Sequence, residues 1–183
     1  STQGYSSAAS DVYKRQRKQH GLENKKILLG VASPWTPRKG LQDFIKLAPM
    51  LPENWKIVLV GLSKHQLAHL PSDILGLERT NNTKELAQIY TTADVFFNPT
   101  YEDNYPTTNL EAIACGTPVI TYDTGGSPES AGKENGVVVE KGNINDVCKI
   151  LLKTDNLKCE SMIEKNFDKN KLFQQYVKLY SLV

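Results

Sequence analysis

The chain has 183 residues, 39% of them hydrophobic, enough for one domain with a substantial core. Its formal net charge of +2 excludes the strongly basic field of a nucleic-acid binder. Cys115, Cys148 and Cys159 form no C-x-x-C pair, which argues against a disulfide framework or a zinc site and suits a reducing cytoplasm.

Residues 1–16 are small and polar with no sustained period, and read as a disordered or extraneous tail. No hydrophobic signal segment stands there, and no apolar run in the chain reaches the roughly 18 residues of a membrane span. Lys14, Arg15, Arg17 and Lys18 cluster near its end as a solvated basic run. Arg17 to Lys26 reads as a helical or turn lead-in stopped at Gly21.

Lys26 to Ala32 is a continuous apolar run, as expected of a parallel strand buried on both faces. The loop that follows carries Arg38 and Lys39 side by side before an amphipathic helix with Leu41, Phe44, Ile45, Leu47 and Ala48 inward. These two cations stand at the C-terminal edge of a strand, where open α/β sheets bind ligands. A departing nucleoside diphosphate needs such cations; a solvated loop pair is the rival reading. Trp55 to Val60 is a second strand, closed by Gly61, which lets a ligand or a loop approach. His65 and His69 lie four apart on a short helix from Ser63 to Leu70, but no third ligand stands nearby and Lys64 would repel a cation, so no metal is assigned.

Ile74 to Thr80 is a weaker strand. Asn81, Asn82 and Thr83 then cap a helix whose Leu86, Ala87, Ile89 and Tyr90 mark a buried face. Ala93 to Pro99 is the next strand and delivers Thr100 to Asp103 to the same edge; Asp94 is read as a turn cap. Pro106 suits a first helical turn, so a helix begins near Thr107 and Thr108 with unpaired amides and a positive dipole end able to hold phosphate. Glu111 sits one turn into that helix. Gly116-Thr117-Pro118 ends it, Val119 to Tyr122 is a strand, and Gly125-Gly126 is a loop before Ser127-Pro128-Glu129. Gly136 to Val139 is a last strand and Asn143 to Lys153 a helix with Ile144, Val147, Ile150 and Leu151 inward. Glu160 to Val183 reads as one or two helices with Leu172, Phe173, Tyr176, Val177 and Tyr180 on one side. Strand alternating with helix argues an α/β fold, a Rossmann-like doubly wound, mostly parallel sheet of about six strands.

The run from Asp103 to Glu129, DNYPTTNLEAIACGTPVITYDTGGSPE, resembles the signature of family 4 retaining glycosyltransferases. The resemblance covers about residues 17–153. It implies one half of a GT-B fold, two Rossmann-like domains around a cleft, with the donor on the C-terminal one. The family pattern usually has Glu as its first acid, where this chain has Asp103 with Glu102 one residue out of register; branches with a D-N-[FY]-P run also carry Asp. By resemblance Arg38 and Lys39 grip the donor diphosphate and Glu111 accepts the ribose hydroxyls. Asp103 lies near the anomeric carbon, where its shorter side chain suits binding better than nucleophilic attack. The turn at Asn82 holds the base, with Leu86 beneath it, though capping explains the asparagines as well. Gly125 and Gly126 leave room for a sugar or phosphate, and Glu129 is either a sugar ligand or a helix-start cap.

The expected substrate is a nucleotide sugar of the UDP or GDP type, with no cofactor and, since no D-x-D occurs, no bridging metal. No G-x-G-x-x-G follows the first strand, which disfavours a nicotinamide enzyme. Residues 17–160 are expected to form the nucleotide-sugar-binding domain, and 161–183 a helix packing on it or on a missing N-terminal domain. That missing domain would bring a glycan or lipid-linked acceptor. A cytoplasmic setting follows, with peripheral contact at the inner membrane face left open. A non-catalytic nucleotide-sugar-binding subunit serving a separate acceptor chain is the alternative; an epimerase or phosphorylase relative is a third.

Overall fold

The computed structural model describes residues 17–18, 21–132 and 135–153. The expected tail at 1–16, the helices from Glu160 to Val183 and the domain boundary near 160 lie outside the described residues.

Six strands form the sheet: β1 (Lys26–Val31), β2 (Trp55–Val60), β3 (Ile74–Leu77), β4 (Val95–Asn98), β5 (Val119–Tyr122) and β6 (Gly136–Val139). Their order is β3-β2-β1-β4-β5-β6, and every neighbouring pair is parallel. The apolar runs are continuous because helices cover both faces. The helices are α1 (Leu41–Leu47), α2 (Lys64–Ala68), α3 (Thr83–Thr92), α4 (Thr107–Ala114), α5 (Ser127–Ala131) and α6 (Ile144–Leu152).

Successive strand residues feed opposite cores. Leu28, Ile57 and Phe97 meet Phe44 and Leu47 of α1 and Val147 and Leu151 of α6. Leu29, Val58 and Phe96 meet Ile89 and Tyr90 of α3, Ala112 and Ile113 of α4 and Ala131 of α5. Each side chain buried in this way contributes about 1.5–3 kcal/mol. Gly30, buried within β1, has a packing cause: a Cβ there would stand 2.5 Å from the Phe44 ring. That ring lies edge-on to Phe97, which lies edge-on to Tyr122, so an aromatic chain fixes α1 against β4 and β5.

Three caps agree with their residues. Ser63 and Gln66 make a reciprocal capping box on α2, Asn82 caps α3 through Glu85 N, and Asn143 caps α6 through Asp146 N. One element differs from expectation. Strand β3 stops at Leu77 rather than Thr80, because its neighbour ends at Val60 and the Gly61 and Leu62 amides both turn onto the Leu77 carbonyl. The segment after the Gly125-Gly126 loop, where a helix start was one of the two readings of Glu129, is a helix, α5; Pro128 sits in its first turn.

Strand order reverses between β1 and β4, so connections leave these two neighbours in opposite directions. In open α/β sheets the crevice above that point takes the ligand. The segments leaving β1 and β4 carry Lys39 and Asp103.

Candidate functional site

Arg38 and Lys39 occupy a single 3-10 turn (Pro37–Lys39) that ends at Gly40. The turn is tied to the segment after β4: Tyr101 N donates to the Arg38 carbonyl at 2.7 Å and Thr100 Oγ1 to the same oxygen at 3.4 Å. With its backbone so fixed, Lys39 Nζ donates to Asp103 Oδ2 at 2.6 Å, and both side chains are partly buried. Asp103 Oδ1 accepts the Tyr105 amide at 3.2 Å. Both carboxylate oxygens are thus engaged, which makes Asp103 a poor nucleophile and a good fixed negative charge. The Arg38 side chain is exposed and makes no hydrogen bond or ion pair among the described residues.

Gly125 and Gly126 bring the segment after β5 against this one. A Cβ on Gly125 would stand 2.0 Å from the Asp103 carbonyl oxygen, and one on Gly126 would stand 2.0 Å from that of Asn104. The space expected there for a sugar or phosphate is, on the side where a Cβ would stand, taken by backbone. Gly126 N also donates to the Asp103 carbonyl at 3.3 Å. Glu129 is exposed in the first turn of α5 and caps nothing, since that helix has no side-chain cap.

Helix α4 begins at the same place. Pro106 is its buried N-cap, no side chain caps it, and Thr107 and Thr108 supply its first amides. Glu111 stands one turn further along, exposed, and its Oε2 accepts the Tyr90 hydroxyl at 2.9 Å. Burial first, and the adjacent Glu111 charge second, push the Tyr90 phenol well above its ordinary value, so it remains a donor. The same two causes push the half-buried Cys115 thiol up, in that order, while a Thr91 hydrogen bond opposes them.

Gly61 sits at this edge for a backbone reason. Its φ is +91°, and a Cβ would stand 1.8 Å from the Ala32 carbonyl, so of the two expected neighbours it admits a loop. Asn82 is engaged as a cap, as its rival reading had it, and Leu86 packs on the α3 side of the core. A cavity of about 270 Å³ opens beside them, over Leu29 and Val58, with Arg79, Thr80, Glu85 and Ile89 on its wall; neither Asn82 nor Leu86 lines it. His65 and His69 stand apart from this edge, with His69 Nδ1 at 2.8 Å from the His65 carbonyl.

Sequence reasoning missed the buried polar groups that fix these loops. Asn109 of α4 is fully buried; it accepts from Asn98 Nδ2 at 2.9 Å and donates to Ser130 Oγ at 2.8 Å, so it joins β4, α4 and α5. Thr124 Oγ1 donates to the Thr100 carbonyl at 2.8 Å. Asp43 of α1, almost wholly buried, accepts from Tyr101 at 2.8 Å and Tyr122 at 2.9 Å. A polar residue within an apolar helical pattern, such as Asn109 between Pro106 and Leu110, is the signal that could have found them. Replacing Asp43 by Asn keeps an acceptor but removes its charge, and should cost about 1–2 kcal/mol. Urea unfolding checks this as a lower midpoint at unchanged slope.

Burial and Asp43 raise all the phenols of this cluster, Tyr101 up to about 12. A raised phenol binds its proton more tightly in the folded state. Its contribution is therefore complete below the ordinary tyrosine value of 10.0 and fades as pH rises through about 12 for Tyr101. Thermal unfolding between pH 9 and 12 should accordingly fall less steeply in Tyr101→Phe than in the parent.

The family model described as glycosyl transferases group 1 matches residues 12–169. The chain belongs to this family. It is 27% identical over 179 residues to the N,N'-diacetylbacillosaminyl-diphospho-undecaprenol alpha-1,3-N-acetylgalactosaminyltransferase of Campylobacter jejuni, with 91% of this chain and 47% of that one covered. It is 30% identical over 122 residues to the alpha-galactosylglucosyldiacylglycerol synthase of Streptococcus pneumoniae, with 60% of this chain and 32% of that one covered. The chain thus spans half or less of the length of these curated relatives. Its fold is similar to that of Anabaena HepE in a complex with UDP-glucose, at TM-score 0.79 and 18% identity over 94% of this chain and 53% of that one. For a group 1 glycosyltransferase the sheet is as expected: six strands, wholly parallel and doubly wound.

Proposed function

We propose that this chain is the donor-binding part of a retaining glycosyltransferase, which moves a sugar from a UDP- or GDP-sugar to a glycan or lipid-linked acceptor held by a further domain. One observation carries the reading: the strand switch point brings two cations, a fixed carboxylate and an uncapped helix start to one edge, with Glu111 one turn above it. Arg38 and Lys39 supply the countercharge a leaving diphosphate needs, helped by the Thr107 and Thr108 amides. Glu111 offers acceptor oxygens to ribose hydroxyls. Asp103, engaged by Lys39 and the Tyr105 amide, orders the sugar rather than attacking it. The bond from the anomeric carbon to the diphosphate oxygen breaks as the acceptor hydroxyl oxygen bonds to that carbon from the same face, its proton passing to the departing phosphate oxygen. The undecaprenol-linked acceptor named for one relative and the diacylglycerol-linked product named for another support the acceptor class.

Calorimetric titration with UDP, GDP and ADP, in chelator, tests this. One nucleotide should bind, and Glu111→Ala should weaken it by about tenfold or more, the worth of hydrogen bonds to a charged group. A folded chain that binds none of the three would sink the reading.

A further inference from the structure

We infer that Tyr90 is the positioning residue that makes Glu111 selective for a ribose bearing both hydroxyls; this rests on the nucleotide reading above. Glu111 is exposed on α4, and an exposed glutamate samples many rotamers. Ordering such a side chain on ligand binding costs rotamer entropy. Here Oε2 is already held by the Tyr90 hydroxyl at 2.9 Å. Oε1 takes no hydrogen bond among the described residues, so the carboxylate is oriented yet keeps free lone pairs on both oxygens.

The donor is itself immobile. Tyr90 is 1% exposed, its ring lies edge-on to Phe96 at 5.4 Å, and its backbone carbonyl accepts Thr117 Oγ1 at 2.7 Å and the Ala93 amide at 3.0 Å. A buried ring with two torsions presents its hydroxyl at one point, at the surface where Glu111 stands. Tyr122, no less buried, gives its hydroxyl to the buried Asp43 carboxylate, a bond within the core. Tyr90 gives its own to an exposed carboxylate of another helix, and so fixes the direction of a side chain that faces solvent. Preorganisation of this kind acts on ligands that use the carboxylate and leaves the others alone. Tyr90 is therefore worth most to a ribonucleotide and little to its 2',3'-dideoxy counterpart.

The test takes whichever nucleoside diphosphate the parent binds, with its dideoxy form, against Tyr90→Phe, Glu111→Gln and the double variant. Tyr90→Phe should weaken the ribonucleotide five- to tenfold and the dideoxy form less than twofold. In the Glu111→Gln background the phenylalanine should add less than twofold. Equal loss for the ribo and dideoxy forms, or none for either, overturns the inference while parent binding keeps the nucleotide reading. No binding by the parent defeats the nucleotide reading and takes the inference with it.

Discussion

Gly125→Ala should lower the unfolding temperature by roughly 5–15 °C and remove nucleotide binding, although Gly125 is exposed. The cause is double. Its φ is +50°, a left-handed conformation that costs an alanine about 1–2 kcal/mol. Its Cβ would also fall 2.0 Å from the Asp103 carbonyl oxygen, a backbone atom that no rotamer change can move. Overpacking of that kind costs about 1–3 kcal/mol more. Relief comes only if the 103–105 segment withdraws, which takes Asp103 from Lys39 and shifts the start of α4. Two controls separate the terms. Gly116 has φ +78° with open space beside it, so Gly116→Ala carries the dihedral cost alone and should leave binding intact. Gly126→Ala meets the Asn104 carbonyl at 2.0 Å without a positive φ, so it isolates the clash. Scanning calorimetry of the three variants, with titration of each, decides the matter; Gly125→Ala binding like the parent would show that the two segments move independently.

The legible part of this protein is the part set by local pattern. The strands β1, β2, β4 and β5 are largely apolar because both their faces are buried, and each gives way within two residues to glycine, proline or a polar group, so the ligand edge could be read from Arg38, Asp103 and Gly125 alone. Asn82 and Ser63 announce the starts of α3 and α2 for the same local reason. What could not be read is which edges touch. Lys39 and Asp103 are 64 residues apart, and their ion pair exists because β1 and β4 are neighbours, a fact of strand order that no spacing encodes. Tyr90 looks like one more apolar residue on the buried face of α3; its polar end matters only once α4 is placed beside it. Helix α5 entered only as one of two readings of Glu129 because Gly-Gly-Ser-Pro reads as a turn; Ser127, Ser130 and Ala131, buried where the helix packs on β5 and β6, reveal a helical turn and a half. Asn109 shows the same limit from inside: an amide in a helix stripe is costly until Asn98 and Ser130 supply its partners.

Replacing Arg38 and Lys39 together by alanine should weaken nucleoside diphosphate binding about 100- to 1,000-fold, with the corresponding monophosphate losing far less. Each cation offers a charge-assisted hydrogen bond to phosphate, worth about 1.5–3 kcal/mol when its acceptor is charged, and the two act on the same diphosphate. Arg38 has no ion pair to give up, being exposed and without a side-chain partner among the described residues, and loses only rotamer freedom on binding. Lys39 does not: in the unliganded protein it is held by Asp103 at 2.6 Å, so a phosphate must draw it from a carboxylate or share it with one. Asp103→Asn should therefore act in the opposite direction, tightening the diphosphate several-fold by removing the competing charge. The same change should weaken the sugar-bearing donor relative to the bare diphosphate, because the carboxylate that orders the sugar hydroxyls has lost its charge. The ratio of donor to diphosphate affinity is thus the informative quantity, read by competition titration in the parent and the variant. A tighter diphosphate with an unchanged ratio would confine Asp103 to governing Lys39; a diphosphate that binds no better would mean that the ion pair does not compete with the phosphate.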